Sequence, residues 1–248
     1  MQSCRRAGLA GPTGTCVWGQ ILDTTALLQK VSIFAGLPAE ELADLAARMR
    51  PRSADAGTVI VSQEELGDAL YVIAAGKFKV VLYGETGREI ILSMLRVGKF
   101  FGELSLLDRQ PRSANVVAVE DGELLALDRD AFQTHLVGHP STALAILAEM
   151  SRRLRHADEV IGNLALLDVY ARVARAIRDL AQKQGEQADG GLLIRERPTQ
   201  QEMAGLIGTS RETVSRALND FTRRGLLEMN GKQILVRWGF LRQLEQAA

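Results

Sequence analysis

Thr199-Gln-Gln-Glu-Met-Ala-Gly-Leu-Ile-Gly-Thr-Ser-Arg-Glu-Thr-Val-Ser-Arg216 holds two helix starts in quick succession. Thr199 and Glu202 have capping-box spacing, in which a hydroxyl and a carboxylate satisfy free amides at a helix start. Met203, Ala204, Leu206 and Ile207 give the first helix its apolar side, and Gly208 can end it in a left-handed turn. Thr209 and Glu212 repeat the capping spacing at once. Two short helices about a glycine turn read as a helix-turn-helix. In the second helix Val214, Ala217, Leu218 and Phe221 share one face, while Glu212, Ser215, Arg216 and Asn219 fall away from it and Arg211 sits in the first turn. The first turns of a recognition helix meet base edges. An arginine fork suits guanine, and a glutamate can accept from cytosine. Ser210 and Thr213 are placed for phosphates, and Gln201 completes the set on the first helix. The competing reading is two surface helices with ordinary solvated charges.

Working outward, Gly225 closes the second helix. Leu226–Met229, Asn230-Gly231 and Lys232–Arg237 then read as a hairpin with a type I′ turn. That makes the module winged, with Lys232 at its tip able to reach the DNA backbone. Residues 169–248 hold 13 Lys/Arg against 9 Asp/Glu, and the rest of the chain holds 17 against 21. A mildly basic C-terminal part beside an acidic N-terminal part fits a DNA-binding module attached to something else.

Upstream, Leu147, Met150, Leu154, Ala157, Ile161 and Leu164 alternate steps of three and four, flanked by charges. That is an a/d seam, which calls for a second copy of the same helix. The alternative is a helix lying on its own domain, which normally needs a wider apolar face. Val169, Val173, Ile177 and Leu180 continue a helix from Asp168 to Gln182, and Lys183–Gly191 reads as a loop.

Between Gly57 and Leu127 short β-rich runs recur: Thr58–Val61, Leu70–Ala74, Lys77–Tyr83, Glu89–Leu95, Ala114–Ala118 and Glu123–Leu127. Strands at roughly 8–12-residue spacing with glycine or aspartate between them indicate a barrel or sandwich. Two short helices precede it, broken at Gly36–Pro38. The fold class is α+β. Its expected parts are an N-terminal extension at 1–21 without fixed order, a barrel domain at 22–139, a dimerisation helix and hinge at 140–168, and a winged helix-turn-helix at 169–248.

Cys4 and Cys16 are too few for a disulfide framework or a four-thiolate cluster. No apolar run reaches the ~18 residues of a membrane span, and Met1–Gln20 is too broken for a signal peptide. A cytoplasmic protein is expected. There is no nucleophile–base pair, metal cluster or phosphate-binding glycine loop, so no enzymatic activity is expected.

The barrel's chemistry lies in Phe101-Gly-Glu-Leu-Ser-Leu-Leu107 and Pro111-Arg-Ser-Ala114. A short helix opening at Gly102–Leu104 exposes amides to an anion. Arg112 supplies a fork for phosphate oxygens, and Glu103 can accept from a sugar hydroxyl. The same pair reads equally as a structural Glu103–Arg112 ion pair at a barrel rim.

Over residues 22–238 the chain resembles the catabolite activator protein/fumarate-nitrate reductase regulator (CRP/FNR) family. Gly102-Glu103-Leu104 and Pro111-Arg112-Ser113-Ala114 are similar to that family's phosphate-binding cassette. Arg211-Glu212-Thr213-Val214-Ser215-Arg216 is similar to its recognition helix, and Gly162-Asn163-Leu164-Ala165 leads into a stretch like its interdomain join. The resemblance implies a cyclic nucleotide bound by Glu103 at the ribose and by Arg112 and Ser113 at the phosphate. Arg153, Ala157 and Asp158 on the dimer helix complete the ligand set. It also implies a homodimer on a two-fold TGTGA-like site in double-stranded DNA, with RNA polymerase as partner.

Cyclic AMP is the expected ligand and cyclic GMP the alternative. Where the family's catabolite activator has a Thr-Ser pair for adenine, this chain has Ala157-Asp158. Three outcomes follow: cyclic AMP read by stacking and backbone, cyclic GMP read by Asp158, or Asp158 turned to Arg153 or Arg155. Ser215 replaces a glycine of that activator's recognition helix, which bears on the inner bases of the site. No metal, haem or iron–sulfur cluster is expected. A barrel that serves only dimerisation is the remaining alternative.

Overall fold

The computed structural model describes residues 24–85 and 87–246; the N-terminal extension and both cysteines lie outside them. In chain order the elements are α1 (Thr24–Gln29), α2 (Ala39–Arg48), β1 (Arg50–Ala54), β2 (Val59–Val61), β3 (Ala69–Ala75), β4 (Phe78–Tyr83), β5 (Glu89–Leu95), β6 (Phe100–Phe101), α3 (Glu103–Asp108), β7 (Asn115–Ala118), β8 (Gly122–Asp128), α4 (Arg129–Gly138), α5 (Pro140–Leu166), α6 (Val169–Gln184), β9 (Glu186–Ala188), β10 (Gly191–Ile194), α7 (Gln200–Ile207), α8 (Arg211–Arg223), β11 (Leu227–Asn230), β12 (Gln233–Arg237) and α9 (Trp238–Gln246).

The first eight strands form two four-stranded antiparallel sheets, ordered β1-β8-β3-β6 and β2-β7-β4-β5. They make a jelly roll whose sheets are packed rather than closed into one barrel. Ile60, Tyr71, Ile73, Phe78, Phe101, Val116 and Leu124 fill the space between them. A second core joins the outer face of β3 and β8 to α1, α2, α4 and the start of α5, through Leu28, Phe34, Leu42, Leu70, Phe132 and Ile146. Asp128 caps α4 by accepting from Ala131 N at 2.8 Å. That helix was not foreseen in the sequence.

Only Thr142 and Ile146 of α5 are buried. Leu147, Leu154 and Ile161 are 61%, 65% and 63% exposed. Most of the expected seam is therefore exposed along α5, although Met150 packs against the chain's own core, so the helix lies on its own domain at that point and offers Leu147, Leu154 and Ile161 to solvent. Gly162 leaves the helix intact. The break comes at Leu167, which is extended, and at Asp168, whose carboxylate caps α6 through Ala171 N at 2.8 Å.

The C-terminal part packs α6, α7, α8 and α9 with a β11-β12-β10-β9 sheet around Val173, Ile177, Met203, Val214, Leu218, Leu227 and Val236. The segment expected as a loop after Lys183 contains β9 and leads into β10.

Candidate functional site

The cassette begins where β6 ends. Gly102 has φ 93°, a left-handed conformation, and a side chain there would sit 2.5 Å from Arg112 Nη1 and 2.8 Å from the Ala69 carbonyl. Only glycine fits both demands. It starts α3 and swings Glu103 inward, where that residue is 1% exposed. Arg112 folds beneath the same turn. Its Nη1 donates to Gly102 O at 2.7 Å and its Nη2 to Ala69 O at 2.8 Å. Arg129 ties the turn together by donating to the carbonyls of Gly67, Ser105 and Leu106.

The alternative reading, a structural Glu103–Arg112 ion pair, is not formed. Glu103 Oε1 accepts instead from Arg153 Nη1 at 2.7 Å, across from α5. The guanidinium of Arg153 lies over the Phe100 ring at 4.9 Å and also pairs with Glu149. Glu103 Oε2 is buried without a hydrogen-bond partner among the described residues. Burial pushes the Glu103 carboxyl above the usual carboxylate range, against the attraction of Arg153. Burial likewise lowers the Arg112 guanidinium. A charge-matched anion at Arg112 and a hydroxyl donor at Glu103 would relieve both costs.

A cleft of about 250 Å³ opens beside Arg112, lined also by Arg52, Ile60, Glu65, Asp68 and Tyr71. Arg52 Nη1 donates to the Tyr71 hydroxyl at 3.2 Å. Arg52, Tyr71 and Arg129 were missed in the sequence, since each reaches the cassette from a distant strand or helix start. A larger open groove of about 450 Å³ crosses the wing sheet, lined by Leu193, Glu228, Met229, Asn230, Gln233 and Leu235. It has no cation in its lining, whereas the cleft at Arg112 carries two arginines beside Glu65 and Asp68.

Ser113 and Leu104 are exposed at the cassette surface. Ala157 and Asp158 are exposed on α5, one turn past Arg153, and neither is joined to the cassette by a hydrogen bond or ion pair among the described residues. Arg153 is committed to Glu103 and Glu149, so Asp158 is not turned to it.

In the helix-turn-helix, Thr199 accepts from Glu202 N at 3.1 Å and Glu202 accepts from Thr199 N at 2.7 Å, completing the capping box of α7. Gly208 ends α7 at φ 71°. The second cap falls one residue later than expected. Thr209 is spent on the turn, its amide donating to Ala204 O, and Ser210 caps α8 through Thr213 N at 3.2 Å. Thr213 Oγ1 also accepts from Arg216 at 3.2 Å.

Gln201, Ser210, Arg211, Glu212 and Arg216 lie at the surface, with Ser215 and Thr213 half-buried beside them. The wing turn is Gly231-Lys232, not Asn230-Gly231, because Asn230 pairs with Gln233. Positive φ falls on Gly231 alone, at 56°. This is the type II′ pattern rather than type I′, and it leaves Lys232 exposed at the tip.

Residues 51–138 match the family model of the cyclic nucleotide-binding domain, and residues 171–244 that of the Crp-like helix-turn-helix domain. A CRP-like cAMP-activated global transcriptional regulator of Mycobacterium tuberculosis is 34% identical over 210 residues, which are 85% of this chain and 94% of its own. The chain belongs to the CRP/FNR family of transcription regulators. Within the CRP/FNR family, the cyclic AMP receptor protein of Thermus thermophilus is 38% identical over 205 residues, 83% of this chain and 92% of its own. The solved structure of the c-di-GMP responsive global regulator CLP of Xanthomonas campestris superposes with a TM-score of 0.70 at 26% identity, covering 81% of this chain and 99% of that one. These CRP/FNR relatives are named for different nucleotides, so membership alone does not fix the ligand. Helix-turn-helix regulators of the family bind DNA and act as dimers. Among the described residues no helix is long and apolar enough to cross a membrane.

Proposed function

We propose that this chain is a homodimeric transcription regulator gated by a cyclic nucleotide, with cyclic AMP as the ligand. The observation that carries the reading is the buried, unpartnered Glu103 Oε2 on the same turn as the Arg112 guanidinium. An orphaned buried acceptor calls for a donor. A ribose hydroxyl supplies one while the cyclic phosphate meets Arg112 and Ser113. Gly102 and Leu104 bring the α3 amides to the same place. Arg153, already on Glu103, connects the occupied cassette to α5, and Ala157 and Asp158 face the base. Cyclic AMP is preferred because the two relatives above at 34% and 38% identity are named for it, whereas the relative named for cyclic di-GMP is 26% identical.

The exposed leucines and isoleucine of the α5 seam support pairing with a second copy in parallel, which sets two recognition helices one DNA turn apart. Arg211, Glu212, Ser215 and Arg216 then read bases in a two-fold TGTGA-like site. Gln201, Ser210, Thr213 and Lys232 hold phosphates, and RNA polymerase is the partner on DNA. Ligand binding shifts the population of domain arrangements rather than creating a new one.

The test is calorimetry of wild type and Arg112→Leu against cyclic AMP, cyclic GMP and cyclic di-GMP. Binding of cyclic AMP that is lost in Arg112→Leu supports the reading. Undiminished affinity in Arg112→Leu refutes the pocket, and preference for another nucleotide refutes the ligand.

A further inference from the structure

The ligand-binding sheet and the DNA-binding helices touch along β5 and α7. Among the described residues three contacts define this face. Lys77, at the entry to β4, places Nζ 2.6 Å from Glu202 Oε1, with both side chains largely shielded from water. Arg88, in the β4–β5 turn, donates to the carbonyl of Gly208. Ile91 on β5 is buried against Gly205, where a side chain would stand 2.8 Å from Ile91 Cγ1. Gly205 is otherwise a poor choice for a helix interior, and this close approach accounts for it.

The three contacts grip α7 at its start, middle and end. Glu202 serves two purposes at once, since the same carboxylate completes the capping box of α7. Burial raises its carboxyl, but hydrogen bonds from Lys77 and Thr199 outweigh this and hold it below the usual range. The grip leaves the reading side open: Arg211 and Glu212 face water, and Arg216 lies beside them.

The path back to the cassette is short. Arg112 is followed within three residues by β7, and β7 pairs with β4 through Asn115–Ala118. Val119 N then donates to Lys77 O at 2.8 Å. The strand that leaves the phosphate-binding arginine thus carries the backbone of Lys77.

We propose that Lys77, Arg88 and Ile91 form a clasp that fixes the orientation of the helix-turn-helix for DNA binding, with Lys77 a positioning residue that touches no DNA itself. The clasp gives the cassette a route to the DNA-binding domain through β7 and β4, besides the route along α5. The proposal rests on the DNA-binding reading, and a path in space becomes coupling only when energies are measured.

The experiment is a double-mutant cycle on DNA affinity. Duplexes are first selected from a random pool with the wild-type protein, with and without cyclic AMP. Lys77→Met removes the cation. Glu202→Gln removes the charge yet keeps a capping-box side chain, because glutamine fills that role. Each single change is expected to weaken binding by roughly tenfold, within the usual span of coupling between sites. The double change is expected to be no worse than either single one. Lys77→Arg is expected to restore affinity, which excludes a folding defect at that position. Additive losses, unchanged affinity or tighter binding in Lys77→Met would overturn the clasp. A wild-type protein that selects no duplex would instead overturn the DNA-binding reading.

Discussion

The substitution His135→Gln removes an imidazole from the junction of α4 and α5, where it is buried. Its Nε2 hydrogen-bonds Thr142 Oγ1 at 3.1 Å, its ring stacks on His139 at 4.3 Å, and Phe34 meets it edge-on at 5.7 Å. Burial first, then His139 and Arg48, lower its pKa from 6.5 to about 4. The fold therefore prefers the neutral ring. That contribution is intact above the unfolded pKa of 6.5 and is lost as the pH falls towards 4. At roughly 1.4 kcal/mol per tenfold in proton affinity, the whole displacement is worth about 3 kcal/mol, of which about 2 kcal/mol disappears between pH 7 and pH 5.

The neutral amide that the substitution introduces cannot titrate but can still reach Thr142. Urea or thermal unfolding of both proteins at pH 7 and pH 5 provides the assay. Other titrating groups are common to both, so the difference between the two losses reads His135. Wild type should lose about 2 kcal/mol more than His135→Gln, or roughly 4–8 °C in melting temperature. Equal losses would refute the argument that the buried ring is held neutral.

Leu154→Glu puts a charge in the middle of the exposed seam of α5 and should give monomers in sedimentation at micromolar concentration, where wild type is expected to sediment as a dimer. Arg211→Ala should cost about 1–3 kcal/mol in DNA affinity and relax selection for one guanine in selected-site sequencing. Lys232→Ala should instead weaken all sequences alike and flatten the salt dependence. Asp158→Ser should change the ratio of cyclic AMP to cyclic GMP affinity in calorimetry, and an unchanged ratio would remove Asp158 from base reading.

The parts of this fold that were legible in the sequence are those fixed by neighbours in the chain. The α7 capping box needs only Thr199 and Glu202, and Gly208 ends the helix by its own backbone freedom. What stayed hidden depends on distant partners. β1 is Arg50-Pro-Arg-Ser-Ala54, without an apolar alternation, and it becomes a strand because it pairs along β8. β10 escaped notice because its Leu192-Leu193-Ile194 run is short and follows a polar turn, yet it joins β12 to β9. Glu103 and Arg153 could each be singled out, but their pairing could not. Arg112 is nearer in the chain, while Arg153 is brought across by the docking of α5 on α4. The one-residue slip of the α8 cap is local instead, since the Thr209 amide closes the end of α7 on Ala204 and Ser210 becomes the residue that accepts from Thr213 N.

The bare leucines of α5 have a consequence for how much of this regulator a cell must make. If a second copy closes the seam, the assembled state obeys mass action, and its free energy depends on how many copies are present. Each tenfold dilution takes about 1.4 kcal/mol from association. Over three decades, the span between a test tube and a sparsely expressed protein, this reaches about 4 kcal/mol, comparable with the whole pH effect at His135. Abundance then becomes an input in its own right: near the dissociation constant, doubling the copy number raises the number of DNA-competent dimers more than twofold, before any small molecule enters the cleft.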